Sequence, residues 1–302
     1  MTVKILVTGG TVFVSQATAA YFAAQGHEVC VLNRGSRGQL PGVRHICHDR
    51  LDAGLDLRGE VFDAVLDVTA YNARDVDALL NAVGDVPRWV MISSSAVYPE
   101  TLPQPFREDM PAGPNIYWGA YGTDKIAAEQ HLLARLPQAY ILRPPYLYGP
   151  GNELHREAFV FGCAEADRPF FLPGDGSMPL QFFHVRDLCR LMERILTEAP
   201  AQHILNTGNP ETVSIRQWVT LCYAAAGKTP RFVPVDGSVP QRSYFPFLNY
   251  AYALDVTAQS QLLPDLTPLG AGLRESYAWY RENRALIRRK PLLAYIDEHL
   301  MK

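Results

Sequence analysis

The sequence lacks any run approaching the ~20 consecutive apolar residues that cross a bilayer, so nothing in it reads as a membrane-spanning helix. Paired cysteines are also missing. Cys30, Cys47, Cys163, Cys189 and Cys222 are odd in number, form no CxxC and sit in apolar runs. That pattern argues against disulfides or a metal site and for reduced core thiols in a cytoplasmic protein. Charge of one sign is not in excess: 28 basic against 31 acidic residues leave a formal net charge of -3, which speaks against a large nucleic-acid footprint. Met1–Thr8 carries neither the long apolar core nor the small-residue cleavage site of a signal peptide, and reads as the lead into a buried strand. Repeats and low-complexity tracts are absent. What is present, 48% hydrophobic residues over 302 positions, suffices for a sizeable core in two domains or one large lobed one.

The first half alternates short apolar runs with helical patterns. Strands are expected at Lys4–Thr8, Glu28–Asn33, Arg44–His48, Ala64–Val68, Trp89–Ser93 and Ala139–Arg143. Helices are expected at Val14–Gln25, stopping at Gly26, at Asp75–Val83 and at Trp118–Leu136. Strands apolar throughout, interleaved with amphipathic helices, predict an α/β, doubly wound parallel sheet of Rossmann type, covered on both faces. Ligands of such sheets bind outside the carboxyl ends of the strands. After Tyr148 the regularity drops. Phe182–Val185 and His203–Asn206 read as strands flanking a helix at Asp187–Leu196, and Ser214 reads as the cap of a helix reaching Ala226. Arg231–Val235, Val256–Leu263 and Leu273–Ile287 follow as further elements. The expected division is 1–148 with 181–208 as the dinucleotide-binding domain, and 149–180 with 209–302 as a smaller substrate lobe covering the sheet's carboxyl edge.

Thr8-Gly9-Gly10-Thr11-Val12-Phe13-Val14-Ser15 lies between strand and helix, where a phosphate-binding turn belongs. A GxxGxxG fingerprint would put glycine at positions 9, 12 and 15; only Gly9 fits, with Val12 and Ser15 in the other places. The second glycine normally lets the pyrophosphate approach and the third lets helix and strand pack. Taken alone, the loop fits a plain strand–helix turn as well as a nucleotide site. At the second strand end, Asn33 replaces the acid that would bind ribose hydroxyls, and Arg34 and Arg37 follow. A guanidinium there accommodates a 2′-phosphate and favours NADP over NAD. Asp49, after the third strand, suits the adenine amino group or an ordinary turn.

Tyr121-Gly-Thr-Asp-Lys125 opens the long helix, downstream of the strand end Ile92-Ser-Ser-Ser-Ala-Val-Tyr98. The i, i+4 spacing puts Tyr121 and Lys125 on one helix face. A nearby ammonium favours the phenolate, so the tyrosine can exchange a proton with a substrate hydroxyl while hydride moves to or from a nicotinamide. A serine at the neighbouring strand end would hydrogen-bond the same oxygen. An isolated YxxxK arises by chance; its place after a Ser-rich strand end and a glycine turn favours chemistry.

The chain resembles an extended short-chain dehydrogenase/reductase of the NAD-dependent epimerase/dehydratase family. The stretches that carry the likeness are Thr8–Ser15, Ser94–Tyr98, Tyr121–Glu129, Arg143–Pro150, Gly174-Asp-Gly176 and Phe183–Asp187, in family order over roughly Val3–Gly208. Within the family it is most similar to an uncharacterised or RNA-associated branch. The resemblance implies Ser94, Tyr121 and Lys125 as catalytic residues. It implies NAD(P) contacts at Gly9, Thr11, Val12, Phe13, Val14, Asn33, Arg34, Arg37, Asp49, Arg50, Ala70, Lys125 and Pro144. A small sugar-like substrate and a homodimer also follow from it.

Two departures bear on the substrate. Sugar-nucleotide epimerases of this family usually have Asn at the place of Tyr146 and Arg at that of Leu180, both holding substrate phosphates; Arg156, Arg168 and Arg242 are candidate replacements. Dehydratases of the family place Asp-Glu where Ser95 and Ala96 stand. His184 reads as fold support, Tyr98, Tyr146 and Tyr148 as buried tyrosines or pocket walls, and Arg288-Arg-Lys290 as a solvated helix end. The expected function is an NAD(P)-dependent epimerase or ketoreductase, not a 4,6-dehydratase; the alternative is a catalytically altered nucleotide- or RNA-binding relative.

Overall fold

The computed structural model describes residues 2–301. In chain order its elements begin β1 (Lys4–Thr8), α1 (Phe13–Ala24), β2 (Glu28–Asn33), β3 (Arg44–Cys47), β4 (Ala64–Asp67), α2 (Ala73–Ala82), β5 (Arg88–Ile92), α3 (Ala120–Arg135) and β6 (Tyr140–Arg143). They continue with β7 (Tyr146–Tyr148), α4 (Glu157–Glu165), β8 (Phe170–Pro173), β9 (Pro179–Leu180), β10 (Phe182–His184), α5 (Val185–Glu198) and β11 (Ile204–Asn206). The last are β12 (Val213–Ser214), α6 (Ile215–Ala225), β13 (Phe232–Val235), α7 (Thr257–Leu262), α8 (Leu269–Glu282) and α9 (Leu292–His299).

The chain divides into two compact units. The first comprises Met1–Pro145, Val185–Pro210 and Leu254–Leu266. It holds a seven-stranded sheet in the order β11-β6-β5-β4-β1-β2-β3, with every neighbouring pair parallel. The order reverses between β1 and β4, the point where open α/β sheets bind ligands. Alternate strand residues point to opposite faces. Leu6, Val65, Met91 and Ile141 pack under α2 and α3 with Val76, Leu79, Ala128 and Leu132, all fully buried. Ile5, Val7, Leu66 and Leu142 are buried as completely, because helices cover the other face too: α1 packs on α5 there. A sheet coated on both sides keeps its central strands apolar between their ends and leaves polar residues such as Thr8, Asp67 and Arg143 to the ends, which is why these strands read as apolar runs.

Helix ends differ from the sequence pattern where a side chain intervenes. α2 starts two residues before Asp75 because the Asn72 side chain accepts from Asp75 N at 3.0 Å and caps it. α3 starts at Ala120 rather than Trp118. The Asn115 side chain takes Tyr117 N at 2.9 Å and its carbonyl takes Gly119 N at 2.9 Å, holding a turn whose exit, Gly119, has φ +52°. Cys47, expected in the core, is exposed on the edge strand β3, while Cys30, Cys163, Cys189 and Cys222 are buried.

The second unit comprises Tyr146–His184, Glu211–Ala253 and Thr267–Lys302. Three two-stranded pairs, β7 with β10, β8 with β13 and β9 with β12, surround an aromatic core in which Trp218 stacks on Phe182 at 5.6 Å. Ser214 caps α6 as the sequence suggests, in a reciprocal capping box with Gln217. α8 begins at Leu269, after Pro268, instead of Leu273 and stops at Glu282. The boundaries differ from the sequence division in four segments: 146–148 and 181–184 fall in the second unit, and 209–210 and 254–266 in the first. Leu254–Leu266 belongs to the sheet unit, held there by Asp255 N to Phe106 O at 2.8 Å and Gly208 N to Gln259 Oε1 at 2.8 Å.

Candidate active site

The turn from β1 to α1 is built on two consecutive left-handed glycines, Gly9 at φ +92° and Gly10 at φ +89°. A Cβ on Gly10 would stand 2.6 Å from Val31 Cγ1 and one on Gly9 would stand 2.7 Å from Ser15 Oγ. Glycine is therefore demanded at Gly10 by contact with β2, a requirement that the spacing rule for the fingerprint does not reveal. Ser15, in the place of the third glycine, is small and buried, and its hydroxyl bonds the Val12 carbonyl at 3.0 Å, so strand and helix still approach closely. Val12 is the N-cap residue but supplies no side-chain cap, and the first turn of α1 carries no acid. Its leading N–H groups and the positive end of the helix dipole suit an anion. Phe13 adopts φ +40°, a costly conformation for a bulky residue. Thr11 and Val14 complete the same turn, half-buried.

Asn33 closes the turn from outside. Its amide donates to Gly9 O at 2.6 Å and its side-chain oxygen accepts from Gly35 N at 2.9 Å. The residue that stands in place of the ribose-binding acid braces the glycine loop. Arg34 lies mostly exposed, 3.9 Å from Asp49, and Asp49 accepts from Leu51 N at 2.9 Å. Arg50, expected at the cofactor, has a side chain 10% exposed. It forms an ion pair with the fully buried Asp67 at 2.7 Å and donates to Thr69 Oγ1 at 3.0 Å. Thr8 Oγ1 completes the network by donating to Asp67 at 2.8 Å. A buried carboxylate needs such partners, and the spacing of Thr8, Arg50 and Asp67 in the sequence gave no sign of it.

The Ser/Tyr/Lys residues lie at the carboxyl end of β5. Ser94 is half-buried and extended, and its Oγ accepts from Ala96 N at 3.2 Å, capping a single 3-10 turn over Ser95–Val97. Ser95 N donates to the Pro144 carbonyl at 2.9 Å, tying this turn to the end of β6. The first turn of α3 docks against it through Gly122, where a Cβ would stand 2.5 Å from the Ala96 carbonyl oxygen. Tyr121 is 41% exposed and Lys125 is 3% exposed, one helical turn further in. Lys125 Nζ donates to the carbonyls of Ala70 at 2.6 Å and Ile92 at 2.9 Å, and lies 5.0 Å from the Tyr71 ring. Burial lowers its pKa to about 8, against the pull of Asp67, Glu129 and Asp75. The ammonium is thus fixed between the ends of β4 and β5.

Behind this set runs a second buried network that the sequence does not announce. Glu129 on α3 takes a two-pronged bond from Arg143, at 3.0 and 2.5 Å. Arg143 donates to Tyr98 Oη at 2.8 Å, and Tyr98 donates to Asn206 at 2.8 Å. Tyr98 is therefore a satisfied core tyrosine. In the second unit, His184 is buried 5.0 Å from the Tyr148 ring and 3.7 Å from Glu275. Gly272 of α8 presses on both rings, where any Cβ would clash; His184 supports the fold. Tyr146 and Leu180 are buried, Arg168 pairs with Asp297, and Arg288 pairs with Glu153 at 3.1 Å. Among the described residues no cluster of His, Cys, Asp or Glu could hold a metal, and no helix is long and apolar enough to cross a membrane.

Comparison with known proteins adds the family. The model of the NAD dependent epimerase/dehydratase family matches residues 5–208. The chain is 27% identical over 300 residues to the chloroplast stem-loop binding protein of 41 kDa b of Arabidopsis thaliana, covering 91% of this chain and 78% of that protein. It is 28% identical over 283 residues to the 2'-dehydrokanamycin reductase of Streptomyces kanamyceticus, covering 88% and 80%. The crystal structure of the Bordetella bronchiseptica enzyme WbmH in complex with NAD+ superposes with a TM-score of 0.76 at 18% identity, over 94% of this chain and 99% of that one, and shares the fold. With the parallel sheet, the glycine turn and a family match over two thirds of its length, the chain belongs to the NAD dependent epimerase/dehydratase family.

Proposed function

We propose that this protein is an NAD(P)-dependent oxidoreductase that epimerises or reduces a small sugar-like substrate, with Ser94, Tyr121 and Lys125 as its catalytic residues. The observation that carries the reading is the buried Lys125 ammonium, pinned to two main-chain carbonyls one helical turn from the accessible Tyr121. The residues present fit a dinucleotide. The uncapped, acid-free start of α1 suits a pyrophosphate, and Gly9 and Gly10 keep Cβ atoms out of the turn. Thr11, Val12, Phe13 and Val14 line that turn, while Ala70 and Pro144 fix the strand ends beside the Ser/Tyr/Lys set. The nicotinamide, when bound, supplies or receives hydride.

Tyr121 moves the proton to or from the substrate oxygen, assisted by the positive charge of Lys125. Ser94 holds that oxygen by a hydrogen bond. With Asn33 in place of an acid and Arg34 and Arg37 close behind, we assign NADP preference over NAD. Elimination of water would need an acid and a base beyond this set. Ser95 and Ala96 occupy the positions where such a pair would stand, and Ala96 is fully buried, so we assign no 4,6-dehydratase activity. Four thiols buried as free cysteines suit a reducing compartment such as the cytoplasm.

The 41 kDa stem-loop binding relative makes RNA binding the competing reading. Mass spectrometry of ligand released from the purified protein separates the cases. Retained NAD(H) supports an epimerase, and NADP(H) a reductase. Absence of both, with no binding of either on titration and a gel shift of structured RNA, overturns the proposal. Incubation with nucleotide hexoses tests the last assignment, since a dehydrated 4-keto product formed at catalytic rates contradicts it.

A further inference from the structure

The connection from β4 to α2 carries an aromatic side chain that core packing does not account for. Tyr71 is 56% exposed, yet its main chain is tied down on both sides. Tyr71 N donates to Asp75 Oδ2 at 2.8 Å, and Asp75 N donates to the Asn72 side chain at 3.0 Å. The preceding carbonyl, that of Ala70, accepts from Lys125 Nζ at 2.6 Å. The loop so held sets the centroid of the Tyr71 ring 5.0 Å from the same ammonium, inside the ~6 Å reach of a cation–π contact.

A lysine ammonium has three N–H donors. In Lys125 two go to the carbonyls of Ala70 and Ile92, and the third has no hydrogen-bond partner among the described residues. The charged groups that act on it are Asp67 at the end of β4, Glu129 on α3, Asp75 on α2 and Arg50. Among the described residues none of these acids pairs with it directly. Asp67 is held by Arg50 at 2.7 Å, Glu129 by Arg143 at 2.5 Å, and Asp75 takes Tyr71 N. Burial, the largest influence, brings the pKa down to about 8, so mildly alkaline pH removes the charge. The face of an aromatic ring is negative, and its attraction for a cation grows where water is excluded. Lys125 is 3% exposed, so the Tyr71 ring meets that condition.

We propose that Tyr71 is a positioning residue of the active site, its ring capping the Lys125 ammonium and keeping it charged for Tyr121 and the cofactor. That this charge serves the reaction rests on the function proposed above. The ring does the work and the hydroxyl takes no part, because the negative face belongs to the aromatic system. An aliphatic side chain of similar bulk would exclude water as well but would offer the ammonium no negative face.

The test is an NMR titration of the whole unliganded protein carrying 13C-labelled lysine, with the Lys125 signal assigned by its loss in Lys125→Met. Tyr71→Leu should lower the pKa of Lys125 by roughly 0.5 to 1, and Tyr71→Phe should keep the wild-type value. Fluorescence titration with NADPH across the alkaline range gives a second readout, since a neutral Lys125 is a poorer ribose ligand. The pH at which NADPH affinity falls should move down by the same amount in Tyr71→Leu and stay in place in Tyr71→Phe, a pattern that mere loosening of the loop does not produce. An unchanged or raised Lys125 pKa in Tyr71→Leu overturns the proposal and leaves the assigned reaction untouched. A lowered pKa that NADPH affinity does not follow refutes the positioning role. If neither NADPH nor NADH binds, the oxidoreductase reading fails, and the lysine titration still decides whether the ring holds the charge.

Discussion

Replacing Lys125 by Met tests the site through the stability of the unliganded protein. The ordinary lysine pKa is 10.5 and burial brings that of Lys125 to about 8. A shift of that size corresponds to about 3 kcal/mol at ~1.4 kcal/mol per unit. The sign follows from proton counting. Between pH 8 and pH 10.5 the unfolded chain holds the proton and the folded chain releases it, so this group's contribution to stability rises with pH and its cost is complete below pH 8. Met keeps the length of the chain and removes the charge, but leaves the Ala70 and Ile92 carbonyls without their donor, at about 1–3 kcal/mol each. Near pH 7 the lost bonds are largely offset by relief of the buried charge. Near pH 10 only the loss remains. Urea unfolding of wild type and Lys125→Met across this range should show their stability gap widening by about 3 kcal/mol, while tyrosine and cysteine titrations common to both proteins cancel. Parallel pH curves would show that no buried, destabilised ammonium exists at this position.

Tyr121→Phe removes the proton-carrying hydroxyl and keeps the ring. Turnover should fall by about two to four orders of magnitude with cofactor affinity little changed, and near-wild-type turnover on the true substrate would assign the proton to another group. NADPH should bind more tightly than NADH and lose that advantage in Arg34→Ala; fluorescence titrations giving equal affinities, or a preference for NADH, reject the assignment. Gly122→Ala drives a methyl to 2.5 Å from the Ala96 carbonyl oxygen, so the start of α3 must move away from the Ser94 turn. Thermal unfolding should shift down by several degrees, as expected for roughly 1–3 kcal/mol of overpacking, and turnover should fall with it. An unchanged melting temperature and rate would show that the docking is loose.

The residues that local sequence could place are those governed by short-range rules. β1, β4, β5 and β6 announce themselves because strands of a sheet covered on both faces are apolar between their ends, α1 ends where Gly26 adopts φ +82°, and Ser214 with Gln217 signals the start of α6. Tyr121 and Lys125 share a helix face by spacing alone. What depends on approach between distant segments was not legible. Gly10 is required by Val31 on another strand and Gly122 by the Ala96 carbonyl on another turn; neither contact leaves a trace in the residues beside it. Nothing along the chain shows that Asn33 braces Gly9 or that Arg50 pairs with Asp67. A polar side chain's partner is set by what the fold brings within about 3 Å, and for Arg50 that partner lies 17 residues away.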